Sequence, residues 1–421
     1  MKRLFLSLLI VGLFLMVAFP VVAGWEGEIT MWDYPAWRVD GDNYAWQNEM
    51  IAKFEKSHPG VKIKLVEIPW QGGPEKLDVA VQSNTYPDIV RGPLRVHYIQ
   101  EGVIEPVGKY LTEEDYNDYL PNAIDGYSLD GKLYGFPFYM TSMTMMLNLD
   151  IFKERGVEPP KDGYWTWDEF VEKVEKLTYD SDGDGKIDTY GFAASAMSPN
   201  EHLWPFLYTE GVRVLNDKGK FGFSNEKAIN ALQRLQNVTT SKEMSMPFAA
   251  GYGDADIFMM FKNGKVAISP IGAYAVPAIK EDVPEMEVST AYYPMGSTGK
   301  AYNAGAISAY YLFKQEDEEK LKVVVELAKM LTDTAQQEKL FHYGTFPTRK
   351  SAKGVYGEDP AMARIEDGLN QVVFVPPHPQ IDKIVDEVSR QIQLILLGRT
   401  SPEKAMKYAE RKVNRLLHRS R

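Results

Sequence analysis

Between residues 28 and 91 the hydrophobic pattern changes period from element to element, and this alternation restricts the fold more than any other feature of the chain. Residues 28–32 read as a strand. Trp46, Met50, Ile51 and Phe54 recur at helical spacing over 45–57, and Pro59-Gly60 ends that helix. Val61, Ile63 and Leu65 then alternate with Lys62, Lys64 and Val66, as in a strand. A second helix is expected over 74–83 and a short third strand over 88–91. Strand–helix–strand–helix–strand predicts a parallel sheet with covering helices.

The middle and end of the chain read as more helical. Thr166-x-x-Glu169 is a capping box ahead of Trp167, Phe170, Val171, Val174 and Leu177. Ser224 is the expected cap of a helix carrying Ala228, Ala231, Leu232 and Leu235. Helices are expected over 256–263, 316–332, 334–343, 382–397 and 401–418, with Ser401 as a cap and Pro402 in the first turn. Residues 190–193 and 266–268 read as strands. The last helix is basic, and its charges read as a solvated face rather than a docking patch.

With 421 residues, 44% of them hydrophobic and 25% charged, the chain has room for two globular lobes. No cysteine is present, which excludes disulfides, thiolate metal sites and a cysteine nucleophile. A net charge of −11 argues against nucleic acid as a partner. Lys2 and Arg3, an apolar run from Leu4 to Phe19, and Val21-Val22-Ala23 read as a secretory signal over residues 1–23, cleaved near Ala23. The run is 16 residues, short of the roughly 20 that a spanning helix needs. No cysteine stands at the cleavage site to carry a lipid anchor. The expectation is a soluble protein exported to the periplasm.

Catalytic motifs are absent. The six histidines are scattered, with no H-E-x-x-H and no helical pair, so a catalytic zinc has no support. There is no G-x-S-x-G elbow, and Gly296-Ser297-Thr298-Gly299-Lys300 has the wrong spacing for a phosphate loop. A glycosidase with two carboxyl groups stays open, because its acids need no fixed spacing.

In an open α/β sheet ligands bind beyond the carboxyl ends of the strands. Trp32, Asp33 and Tyr34 follow the first strand, Trp70 the second and Arg91 the third. Flat rings beside carboxylate and guanidinium suit a sugar, whose C–H face stacks on an aromatic and whose hydroxyls take and give hydrogen bonds; core packing is the alternative for each Trp alone. A second cluster, Asp180-Ser181-Asp182-Gly183-Asp184-Gly185-Lys186-Ile187-Asp188, resembles the front of a calcium loop. Asp180, Asp182, Asp184, the Lys186 carbonyl and Asp188 are the expected ligands of a structural Ca2+, although position 12 is Gly191 rather than Glu. A polar turn is the alternative. No catalytic cofactor is expected.

A set of short segments in order along the chain adds a resemblance. These are Pro87-Asp88-Ile89-Val90, Glu101-Gly102-Val103-Ile104, Asp130-Gly131-Lys132-Leu133-Tyr134-Gly135-Phe136-Pro137, Leu147-Asn148-Leu149-Asp150-Ile151-Phe152 and Pro159-Pro160 with Thr166-Trp167-Asp168-Glu169-Phe170. Asn263-Gly264-Lys265-Val266-Ala267 and Gly344-Thr345-Phe346-Pro347-Thr348-Arg349-Lys350 complete it. The chain resembles the extracellular solute-binding proteins of ABC sugar importers, the group that includes maltose-binding protein. The resemblance implies a two-lobed α/β periplasmic-binding-protein fold with hinge crossings near 137–139, 303–308 and 345–348. One lobe would be 24–138 with 307–345, the other 139–306 with 346–421. It implies a non-enzymatic, monomeric receptor that closes on a di- or oligosaccharide and hands it to permease subunits served by a cytoplasmic ATPase. An anionic polyol phosphate or uronate held by Arg91, Arg95 and Arg349, or a secreted carbohydrate hydrolase, are the alternatives. The cleft contacts implied are Trp32, Asp33, Tyr34, Trp70, Arg91, Tyr139, Thr141, Trp204, Gly272, Tyr274, Asn303 and Arg349.

Overall fold

A computed structural model describes residues 24–418 apart from 36–40, 71, 198, 242–243 and 246–250. The expected signal segment, residues 1–23, lies outside the described residues. The alternation at the start of the chain becomes β1 (Gly27–Asp33), the Ala45–Ser57 helix, β2 (Val61–Glu67), the Gly73–Gln82 helix and β3 (Ile89–Gly92). β1 sits between β2 and β3, parallel to both, with Ile29 facing Ile63 and Met31 facing Leu65 across the first ladder. A hairpin of β4 (Ser128–Leu129) and β5 (Lys132–Leu133) leads into β6 (Phe136–Met140). The second sheet is made by β7 (Met143–Asn148), β8 (Tyr190–Phe192), β9 (Val266–Gly272) and β10 (Val288–Ala291), in the order β10-β7-β9-β8. β11 (Asn303–Ala304), β12 (Ile307–Leu312), β13 (Phe346–Pro347) and β14 (Val372–Val373) follow.

The first sheet runs β13-β6-β12-β3-β1-β2 and is mixed rather than wholly parallel. β12 returns late in the chain and lies antiparallel to both β3 and β6. Local pattern near residue 90 carries no sign of a partner more than 200 residues away. Two apolar clusters fill the molecule, the larger one reaching from the first sheet to Met146, Val266 and Ile271 of the second. Trp46 stacks on Phe138 in the one, at 5.2 Å between ring centres. Trp165, Phe170 and Trp204 sit in the other, where the Trp165 indole donates to the Tyr292 carbonyl at 2.7 Å.

Side-chain caps mark several helix starts. The Thr166–Glu169 box is formed reciprocally, at 3.2 Å and 2.7 Å. Asn225, not Ser224, caps the Glu226–Gln236 helix by accepting from the Ala228 amide at 3.0 Å, while the Ser224 hydroxyl donates to Glu410. The 334–343 segment is α-helical only over Thr334–Gln337 and tightens to a 3-10 turn over Glu338–Tyr343.

Two short links join the sheets side by side. The chain leaves β6 after Met140 and enters β7 at Met143; it returns from β11 through Gly305 and Ala306 into β12. The Thr141 amide donates to the Ala306 carbonyl at 2.8 Å, and the Ala306 amide donates to the Thr141 hydroxyl at 3.1 Å. Asn303 donates from Nδ2 to the Ser142 hydroxyl at 3.3 Å. A Cβ at Gly305 would run into the Thr141 carbonyl and the Val372 side chain. Across 345–348 the chain is still on the first sheet, since Phe346 and Pro347 pair with β6 and Arg349 bridges to Tyr119. Further on, the Pro360–Asp367 helix packs on β10 of the second sheet. Gly305→Ala is expected to destabilise by about 1–3 kcal/mol, because the paired links must part to admit a methyl; urea unfolding measures it.

Candidate ligand cleft

A cavity of about 380 Å3 opens beside the paired links. One wall is the segment that continues from the carboxyl end of β3, with Leu94, Arg95 and His97. The facing wall comes from Asn200 and Glu201, from the Pro-rich stretch holding Phe374 and His378, and from Asp382 and Asp386 of the Ile381–Leu396 helix. Gly305, Ala306 and Ile307 form the floor. The volume falls in the roughly 300–1,000 Å3 range of small-molecule sites.

The polar groups on the walls are held in different ways. Arg95 Nη1 lies 3.7 Å from Asp382 Oδ2, an ion pair that reaches from one wall to the other at a wet rim. His97 leans on Asp78 at 3.1 Å. Burial lowers the His378 pKa, and its Nδ1 accepts from the Gln380 amide at 3.1 Å, which assigns the proton to Nε2 and makes that nitrogen a donor. Burial, with the Asp254 charge adding, pushes the Glu201 carboxyl above the ordinary range. Burial pushes His202 down against the pull of Asp254, whose Oδ1 lies 3.3 Å from Nε2. Acceptors outnumber cations here: Glu201, Asp382 and Asp386 stand against Arg95. Such a wall suits a neutral ligand rich in hydroxyls and disfavours an anion.

The residues expected from the strand ends are brought together, but mostly beneath the surface. Asp33 and Arg91 are both fully buried. Arg91 donates from Nε to Asp33 at 2.6 Å, from Nη1 to the Tyr139 hydroxyl at 2.9 Å, and from Nη2 to the Tyr34 carbonyl at 2.6 Å. The Tyr310 hydroxyl and the Tyr34 amide complete the Asp33 shell at 2.6 Å and 2.7 Å. Burial pulls the Asp33 carboxyl up and Arg91 pulls it down; with three donors converging on it the group is held as one half of an ion pair. Trp32 is also buried, with Lys76 Nζ 5.0 Å from its ring. Trp70 differs: its indole is 50% exposed and stacks on Tyr34 at 4.3 Å.

The other expected contacts divide similarly. Tyr274 is 50% exposed, with its ring folded over Gly272. Thr141 and Asn303 are used in the links between the sheets. Trp204 is fully buried against Phe223 and offers no face to a ligand, because Pro205, Phe206 and Leu207 are enclosed with it. Arg349 is buried too, donating from Nη1 to Asp118 at 3.2 Å, from Nη2 to the Tyr119 hydroxyl at 3.1 Å and from Nε to the Thr332 carbonyl at 3.0 Å. The anion reading thereby loses Arg91 and Arg349. The cavity is also lined by His97, Glu201, His378, Asp382 and Asp386, which strand-end reasoning does not name. Following the 91–93 segment four residues further would have reached His97; the others lie in loops and a helix with no motif.

In the acidic loop Asp180, Asp182 and Asp184 bring carboxylate oxygens within 4.8 Å of one another. Asp180 accepts from the Gly183 and Gly185 amides, and Lys186 Nζ reaches Asp184 at 3.8 Å. Asp188 turns instead to Ser181, whose amide and hydroxyl hold its pKa down to about 2.

Glu201 gives a pH signature. The folded chain holds its proton more tightly than the unfolded chain, so ionisation penalises folding only as pH rises above the ordinary glutamate range. Glu201→Gln is expected to raise the melting temperature at pH 7–8 and to leave it unchanged near pH 4; melting curves across pH would show a gain at both ends if this is incorrect.

Residues 49–364 match the model of the bacterial extracellular solute-binding proteins. A binding protein of Brucella abortus (strain 2308) is 25% identical over 380 residues, covering 88% of this chain and 89% of that one. A multiple sugar-binding protein of Streptococcus mutans is 24% identical, covering 73% and 72%. Among solved structures, a cyclic α-maltosyl-1,6-maltose binding protein from Arthrobacter globiformis overlays with a TM-score of 0.78 at 20% identity, over 93% of this chain and 99% of that one.

Proposed function

The chain belongs to the bacterial extracellular solute-binding protein family, and from that premise we propose that it is the carbohydrate receptor of an ABC importer. The observation that carries the reading is the cavity at the paired links, whose walls come from both sides of the crossing. The lobes proposed are 24–140 with 307–352 and 141–306 with 353–421; the run of β6 through Met140, the β13–β6 pairing and the Arg349–Asp118 bond support these limits. A ligand that engages Arg95 and Asp382 together gains both sets of contacts only when the lobes are shut. It therefore shifts the population towards the closed form by its difference in affinity for the two.

The ligand proposed is a neutral di- or oligosaccharide. Phe374 and Leu94 supply apolar faces, Glu201, Asp382 and Asp386 supply acceptors, and Arg95, Asn200 and His378 supply donors. The sugar-binding relative supports the same class. Residues 1–23 are proposed as an export signal to the periplasm. Membrane permease subunits, driven by a cytoplasmic ATPase, are the proposed acceptors of the closed form, which acts as a monomer. No turnover is proposed, in keeping with a family of binding proteins.

Titration calorimetry of residues 24–421 with a panel of neutral sugars tests the reading. One of them is expected to bind stoichiometrically, with about 2.7 kcal/mol of added stability at a hundredfold excess over Kd. Arg95→Ala should weaken that sugar about 10- to 100-fold, the range for a charged hydrogen bond, with little loss of stability because its ion pair is long, at 3.7 Å, and open to water on the Asp382 side. Release of reducing ends would move the assignment to a hydrolase; binding confined to sugar phosphates or uronates would move it to an anion.

A structural calcium held by Asp180, Asp182 and Asp184 belongs to the same proposal, supported by the convergence of their oxygens. Millimolar calcium is expected to raise the melting temperature, a chelator to reverse it, and Asp182→Asn to abolish it. An unchanged melting temperature would remove the ion.

A further inference from the structure

The charge of this chain is unevenly distributed. From Arg390 to the end there are nine Lys and Arg against two Glu, a net of +7, and the preceding 389 residues carry −18. The Pro402–His418 helix concentrates it. One face buries Ala405, Met406, Ala409 and Val413 against the preceding helix. On the opposite face Lys404, Lys407, Arg411 and Arg415 are exposed at intervals of three and four residues, a single stripe about 17 Å long. Tyr408 is exposed in the same stripe, with Arg411 5.7 Å and Lys412 5.4 Å from its ring. Glu403 pairs with Lys407, and Glu410 accepts from Ser224. Among the described residues Lys404, Arg411 and Arg415 form no salt bridge, although the Lys407 hydrogen bond, with the Lys404 charge adding, holds the Glu403 carboxyl down.

We infer that this stripe docks on an anionic phospholipid surface. An acidic body is repelled by such a surface, and a local row of point charges reverses the sign where it faces the phosphates. Lysine and arginine side chains are long enough to reach headgroups from a helix lying flat, and a tyrosine in their midst matches the interfacial level. The contact would keep the receptor close to the membrane in which its partner sits, without using the cleft.

The test is co-sedimentation of residues 24–421 with vesicles containing phosphatidylglycerol and with vesicles of phosphatidylcholine alone. Binding is expected only to the first, and it should fall steeply as salt is raised. Reversal of Lys404, Arg411 and Arg415 to Glu should weaken it at least about tenfold, with the far-ultraviolet dichroism and melting temperature retained. Reversal of the exposed Lys53, Lys56 and Lys64 to Glu changes net charge equally and should weaken it far less. Equal losses in the two variants, or no preference for the anionic vesicles, would overturn the inference. So would capture of an acidic polypeptide such as polyglutamate by a chain that ignores the vesicles.

Discussion

One buried ion pair braces the first sheet. Arg91 is on β3, Asp33 ends β1, Tyr139 is on β6 and Tyr310 is on β12, so a single guanidinium and carboxylate tie four strands that local sequence does not bring together. Removing two charges from water costs several kcal/mol each, and the arrangement survives because nearly every donor and acceptor has a partner. Loss of either ion would strand the other in a dry site. The pair also fixes the Tyr34 backbone, and with it the ring that carries Trp70.

The same economy of contact holds at the crossing. Two adjacent links, bonded to each other through Thr141 and Ala306, let the sheets approach with only a few residues between them. Gly305 is small because the neighbouring chain passes over it. The cavity opens beside these links, so its shape depends on how they are twisted, and its walls are carried by elements distant in sequence.

Much of the fold was legible in advance. The Ala45–Ser57 helix and the three opening strands followed from the spacing of Trp46, Met50 and Phe54 and from the alternation after Val61, because each element buries its own periodic face. The mixed direction of the first sheet was not legible, since β12 finds its place between β3 and β6 through long-range pairing. The side chains at the strand ends do lie together, but sequence does not distinguish an arginine that meets a ligand from one that closes on a neighbouring aspartate. Arg91 and Arg349 became braces and Trp204 became core for that reason. Glu201 and Asp382 entered the cleft from a four-residue helix and a long amphipathic one, where nothing in the pattern of apolar residues singles out an inward carboxylate.

The unequal enclosure of the tryptophans has an optical consequence. Trp46, Trp165 and Trp204 are sealed in the two cores, whereas the Trp70 indole keeps half its surface in water beside the end of β3. Light absorbed by the sealed rings is emitted from surroundings that a small domain rotation leaves alone. The colour of the Trp70 emission follows its hydration, so the native chain carries its own fluorophore on the Tyr34 ring.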